Sequence, residues 1–89
     1  MITFYPQQLW NEDRDSLVVF AFDGDRKIRC AIPMEALTDP FVEFPTEARA
    51  RMLFHGRQAE FEERLRQLIQ EGRFNEEGDI VLYSSAVKV

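Results

Sequence analysis

The strongest constraint on the fold is a stretch from Val18 to Ile32 that is typical of two strands joined by a tight turn. Apolar residues alternate on both sides of Asp23-Gly24. Gly24 can adopt a positive φ without a Cβ clash, which a two-residue hairpin turn requires. After the turn, Lys27 and Arg29 alternate with apolar residues. The stretch therefore predicts an antiparallel hairpin whose second strand has one buried and one solvated face.

The chain before the hairpin predicts one short strand and a loop. Ile2 to Phe4 alternates apolar with polar, and Pro6 is expected to end the strand at a sheet edge. Residues 7–16 are mostly polar and are expected to form a loop. Within it, Trp10 is expected to cover one end of the core.

Two helices and a last strand are predicted after the hairpin. Pro33 suits the first turn of a short helix over 34–39, where its missing N–H is no loss. Thr46 is a good N-cap for a long helix over 46–71. Residues 80–83 form the final strand. The apolar residues of the long helix lie in one arc at 100° per residue: Ala50, Phe54, Phe61, Leu65, Leu68 and Ile69.

One position in the long helix leaves two alternatives open. Gly56 costs about 1 kcal/mol in a helix interior, and Met52 and Leu53 lie off the apolar arc. Either the helix breaks near His55-Gly56, or Met52 and Leu53 form a second contact surface. The fold class expected is α+β in the order β-β-β-α-α-β. A small, mainly antiparallel sheet of about four strands would pack on one long helix, kinked or straight, and a short one.

Composition restricts the class of protein. Eighty-nine residues fit a single domain, 1–89, and the net charge of −5 disfavours binding to nucleic acid. One cysteine excludes an internal disulfide. No apolar run approaches the roughly 18–20 residues that a membrane-spanning helix needs, and no signal peptide is recognisable. We therefore expect a soluble protein with a cytoplasmic location and no membrane partner.

The candidates for chemistry are few. Cys30 is the obvious nucleophile, but it lies in phase with Ile28 and Ile32, where a cysteine acts as a small core residue. A thiol enzyme centred on Cys30 is the least favoured alternative. His55 is the single histidine, which excludes a multi-histidine metal site. We expect no catalytic residue, no metal and no cofactor.

An apolar surplus suggests where a partner binds. The chain has more large apolar residues than one amphipathic helix stripe needs. The candidate interaction surface consists of four of them, Phe41, Phe44, Met52 and Leu53. The leading hypothesis is a small bacterial accessory domain that binds a second copy or another protein. The alternative is a nucleic-acid-associated regulator that uses the arginines of the long helix: Arg49, Arg51, Arg57, Arg64, Arg66 and Arg73.

Turn and packing signals recur along nearly the whole chain: Phe4, Pro6, Trp10, Phe20, Asp23-Gly24, Cys30-Ala31-Ile32, Glu35-Ala36-Leu37, Gly72, Gly78 and Ile80-Val81-Leu82. In this order they resemble the DUF1488 family of small bacterial proteins. The resemblance implies an α+β domain with a small antiparallel sheet, and it implies no activity. Pro33 departs from the serine that is common there, which would alter the cap of the short helix.

Overall fold

A computed structural model describes residues 1–37 and 46–82 of the chain. The α+β class and the predicted order of elements are confirmed, with the long helix divided in two. The elements are β1 (Ile2–Asn11), β2 (Ser16–Asp23), β3 (Arg26–Pro33), α1 (Met34–Leu37), α2 (Glu47–Gly56), α3 (Gln58–Gln70) and β4 (Ile80–Val81).

The four strands lie in the order β1-β2-β3-β4. The first three pair antiparallel, as short hairpin connections require. Strand β4 pairs parallel to β3, with Cys30 opposite Ile80. The helices between β3 and β4 form the crossover that returns the chain to the same end of the sheet. The sheet is therefore mixed.

Strand β1 is longer than predicted, and the loop expected over 7–16 is wrong. The strand passes through Pro6 and ends at Asn11, so only the turn to β2 is irregular. The pairing with β2 shifts between Phe4 and Gln8, which is a bulge around the proline. In a bulge, proline's missing N–H interrupts no ladder hydrogen bond. The Gln8 side-chain amide donates to the Pro6 carbonyl at 3.1 Å.

The hairpin between β2 and β3 forms where it was predicted. Asp23 pairs with Arg26, which leaves Gly24 and Asp25 as the two loop residues. Gly24 has φ +65°. Asp25 does not have a positive φ. A positive φ at the first loop residue alone is typical of a type II′ turn, whose twist matches that of the flanking strands.

The long helix breaks at the glycine, which confirms the first of the two alternatives. Helix α2 ends at Gly56, Arg57 leaves helical geometry with φ −136° and ψ 35°, and α3 begins at once. The rings of Phe54 and Phe61 stack across the break with centroids 5.9 Å apart. At the other end of α2, the Thr46 hydroxyl accepts from the N–H of Arg49 at 3.2 Å, as an N-cap should.

The core lies between one face of the sheet and the helices. Of the predicted helical arc, Leu68 is partly buried and the other five residues are buried. Trp10 packs against this core from strand β1, so its packing was predicted correctly although its element was not. The sheet residues in the core are Leu17, Val19, Ala21, Ile28, Cys30, Ile32 and Ile80.

Candidate functional site

Cys30 lies in the core, as its strand phase predicted. It pairs with Val19 of β2 and Ile80 of β4 and has no exposed surface. Burial raises the pKa of its thiol to about 12, and the negative charge of Asp79 adds to the effect. At neutral pH the sulfur is therefore a protonated thiol, whereas nucleophilic attack requires the thiolate.

His55 lies on the surface of α2, next to the helix break. Its Nδ1 is 3.3 Å from the side-chain oxygen of Gln58, and its ring packs edge-to-face with that of Phe54, with centroids 5.5 Å apart. Among residues 1–37 and 46–82, no group of three histidine, cysteine or acidic side chains is placed to hold a metal ion. These contacts are those of a solvated helix residue.

The six arginines proposed for nucleic-acid binding are interleaved with glutamates, and Arg73 lies beyond the end of α3. Four of the six named above form ion pairs with a glutamate two to four residues away. Such pairs neutralise the charge that phosphate binding would use. The pairs are Arg51–Glu47, Arg57–Glu60, Arg66–Glu63 and Arg73–Glu71.

The predicted interaction surface falls partly outside the described residues. Phe41 and Phe44 lie there, so the structure says nothing of them. Met52 is 67% exposed on α2. Leu53 is partly buried against the core. Of the two described residues, Met52 alone is well exposed.

A second apolar surface lies on the opposite face of the sheet. Strand register places Phe20 and Phe22 of β2 beside Arg29 and Lys27 of β3. Neither phenylalanine belongs to the core cluster, because they alternate with the core residues of β2. We call this face, formed by Tyr5, Leu9, Phe20, Phe22, Lys27 and Arg29, the open face.

The open face contains a shallow groove of about 260 Å³. Tyr5 and Leu9 on its β1 side are 46% and 56% exposed. The Lys27 ammonium lies 4.4 Å from the centroid of the Phe20 ring, a cation–π contact. A neighbouring groove shares Leu9 and Phe20 and extends to the turn after β1, where Glu12 and Asp13 lie. Arg29 also lines this second groove, so acidic and basic side chains lie together around it.

Sequence reasoning missed the open face, although a signal for it was present. From Leu17 to Phe22 the chain has six consecutive apolar residues. A strand with one wet face alternates apolar and polar residues, whereas an unbroken apolar run is typical of a strand with both faces apolar. Of the two alternating sets in this run, Leu17, Val19 and Ala21 face the helices.

Comparison with solved structures supports the fold. The chain is similar to a protein of unknown function from the DUF1488 family of Shewanella loihica PV-4, known from a crystal structure. The TM-score is 0.84 at 23% sequence identity, over 93% of this chain and 92% of the other. No curated protein is significantly similar to this chain.

The family comparison covers nearly all of the described sequence. Residues 2–82 match the model of the family described as "Protein of unknown function (DUF1488)". The match begins at β1 and ends just after β4, so it includes every element of the described fold. The chain therefore belongs to the DUF1488 family.

Proposed function

We propose that this protein is a small cytoplasmic accessory domain that binds other protein chains and catalyses no reaction. The observation that carries the proposal is the open face. It places aromatic and aliphatic side chains on the sheet surface opposite to the helix-packed core, where Tyr5 and Leu9 are 46% and 56% exposed. Contiguous apolar surface on a small domain is typical of a binding site.

The residue types of the open face suit a protein partner. Tyrosine and phenylalanine are enriched in protein interfaces, where they bury a large area and lose little conformational freedom. Tyr5 and Phe22 already contact each other, with ring centroids 6.4 Å apart. Such a pair offers a preformed surface, which reduces the entropic cost of binding.

The state of Cys30 supports binding as the function. The most nucleophilic side chain in the sequence is buried and protonated. No helix among the described residues is long and apolar enough to cross a bilayer.

We retain Met52, with Phe41, Phe44 and Leu53, as a second proposed contact surface.

Site-specific photo-cross-linking tests the proposal. One variant carries benzoylphenylalanine at position 9, in place of Leu9 on the open face. A matched control carries it at position 67, in place of the exposed Gln67 of α3. Cells that make each variant are irradiated. We expect a discrete cross-linked product from position 9 and none from position 67. Phe20→Ser should remove that product. Equal background at both positions would overturn the proposal.

A further inference from the structure

We propose that Arg51 makes an autoinhibitory contact, which closes the free edge of the sheet against strand β1 of a second copy of this chain. Strand β1 is the outermost strand in the order β1-β2-β3-β4. Within residues 1–37 and 46–82 it pairs with β2 on one side and with no strand on the other. An edge ten residues long is a template on which another strand can add. The contact lies at the sheet edge and is separate from the binding proposed for the open face.

The strand register shows which backbone groups of β1 point away from β2. In an antiparallel pair, residues whose N–H and C=O face the partner strand alternate with residues whose groups face away. The Ala31 carbonyl accepts from the N–H of Leu82, so Ala31 faces away from β2. Its partner Val18 therefore faces β1, and the next residue, Val19, faces β3. The partner of Val19 in β1 is Gln8, whose N–H and C=O consequently point to the free edge.

The same alternation gives the other backbone groups of this edge. The β2 residues that face β3 are every second residue from Leu17 to Asp23, and their β1 partners point outwards. The outward-pointing residues of β1 are Ile2, Phe4, Gln8 and Trp10. A strand added along the whole edge would have to bond to Gln8 in its middle.

The middle of the edge is already occupied. The Nη2 of Arg51 donates to the Gln8 carbonyl at 3.0 Å. Its Nε donates to the Glu47 carboxylate at 2.9 Å, which holds the guanidinium from within α2. Pro6 has no N–H, and its carbonyl accepts from the Gln8 side-chain amide at 3.1 Å. An incoming strand would therefore meet a guanidinium and a proline where it needs a free carbonyl and a free N–H.

The stretches that remain on either side are short. Ile2 and Phe4 point outwards before the bulge, and Trp10 alone points outwards beyond Gln8. Each hydrogen bond of an added strand must offset the loss of backbone freedom in the residues that it orders. One or two outward residues give few such bonds, so the closure depends on the contact at Gln8.

Without Arg51, the edge from Gln8 to Trp10 fits a second copy of itself. With Leu9 opposite Leu9 of the second copy, the outward-pointing Gln8 of each chain lies opposite Trp10 of the other and exchanges backbone hydrogen bonds with it. A two-fold axis between the edges relates the two chains. The two Leu9 side chains, each 56% exposed in one chain, then meet on the same face of the joined sheet.

Arg51→Ala tests the closure. Sedimentation velocity of the full chain over a wide concentration range measures self-association. We expect Arg51→Ala to associate at a protein concentration at least about tenfold lower than the unaltered protein requires. Arg49→Ala, at an exposed position of the same helix, is the control and should stay within about twofold of the unaltered protein. Equal association of Arg51→Ala and the unaltered protein would overturn the inference.

A second control separates edge exposure from loss of stability. Ile69→Ala removes buried packing from α3 and leaves the contact between Arg51 and Gln8 in place. Urea denaturation compares the stability of the two variants. We expect Ile69→Ala to associate no more than the unaltered protein. If it associates as strongly as Arg51→Ala, partial unfolding is the cause and the inference is wrong.

Hydrogen exchange locates the contact. In the associated form of Arg51→Ala, the backbone N–H of Trp10 should exchange at least about tenfold more slowly than in the unaltered monomer, because edge pairing bonds it. Adding Phe20→Ser, which alters the open face, should leave the association intact. If the Trp10 N–H gains no protection, or if Phe20→Ser abolishes the association, the edge does not carry it. Cross-linking from position 9 in the unaltered background tests the proposed function separately.

Discussion

The guanidinium of Arg51 joins helix α2 to the bulge in strand β1, because its Nη2 donates to the main-chain carbonyl of Gln8 at 3.0 Å. The same side chain pairs with Glu47 one turn earlier, which fixes its direction. The helix therefore supplies a charged donor to the carbonyl of a residue at the edge of the bulge.

Removing the Arg51 side chain should destabilise the protein. A hydrogen bond from a charged donor to a partly buried carbonyl contributes about 1.5–3 kcal/mol, so Arg51→Ala should lower the free energy of unfolding by about that amount. Urea denaturation followed by circular dichroism measures it. Arg49→Ala, on the exposed face of the same helix, is the control and should change stability by less than about 0.5 kcal/mol. Equal effects would show that the contact is not specific.

The Cys30 thiol should resist modification in the folded protein. It has no exposed surface and is protonated at neutral pH. Labelling with a disulfide reagent at pH 8 should be slower than in denaturant by several orders of magnitude, with a rate set by unfolding. The release of the chromophore measures the rate. Fast, stoichiometric labelling under native conditions would place the thiol at the surface.

The pKa of Cys30 also predicts how stability depends on pH. The thiol keeps its proton in the folded state up to a pKa of about 12, compared with 9.0 in an unfolded chain. Between these values the folded state binds more protons, so stability falls as pH rises. Below the lower value the contribution is fully present.

The measurement compares the unaltered protein with Cys30→Ala above pH 9. The free energy of unfolding of the unaltered protein should fall more steeply, by up to about 1.4 kcal/mol per pH unit. Because the two proteins differ only at position 30, the difference between the two slopes isolates the thiol. Parallel pH profiles would contradict the raised pKa.

Two glycines should respond in opposite directions to the same substitution. Neither Gly56 nor Gly24 would bring a new Cβ within 4 Å of another atom. Gly56 belongs to a helix and has no positive φ, so Gly56→Ala should stabilise by about 0.5–1 kcal/mol. Gly24 has φ +65°, so Gly24→Ala should destabilise by about 1 kcal/mol. Thermal unfolding checks both, and a shift of the same sign in each would disprove the argument.

The parts of the fold that were predicted correctly depend on local chemistry. The hairpin turn follows from the freedom of Gly24, and the start of α2 follows from the cap at Thr46. The end of α3 follows from Gly72, which has φ +71° and allows the N–H of Arg73 to reach the Leu68 carbonyl at 3.0 Å. Each is decided by a few neighbouring residues.

The features that the sequence did not predict share one cause: they depend on contacts between distant parts of the chain. Pro6 and the polar residues after it favour a loop by local preference, yet β1 continues through them because β2 supplies hydrogen-bond partners and a bulge accommodates the proline. The partial burial of Leu53 against the core also depends on the position of the sheet, which no local pattern gives.

The sequence by itself determined the order of strands and helices, the hairpin and the burial of Cys30, and it offered the helix break as one of two alternatives, since alternation, turn residues and caps act over a few residues. Only the tertiary structure decided which apolar face of β2 meets the helices and which stays open. Both faces of Leu17–Phe22 are apolar, so no local preference distinguishes them. On one face, Phe20 and Phe22 lie beside the charged Arg29 and Lys27 of β3. On the other face, Leu17, Val19 and Ala21 lie beside apolar residues of β3, and the helices therefore pack there.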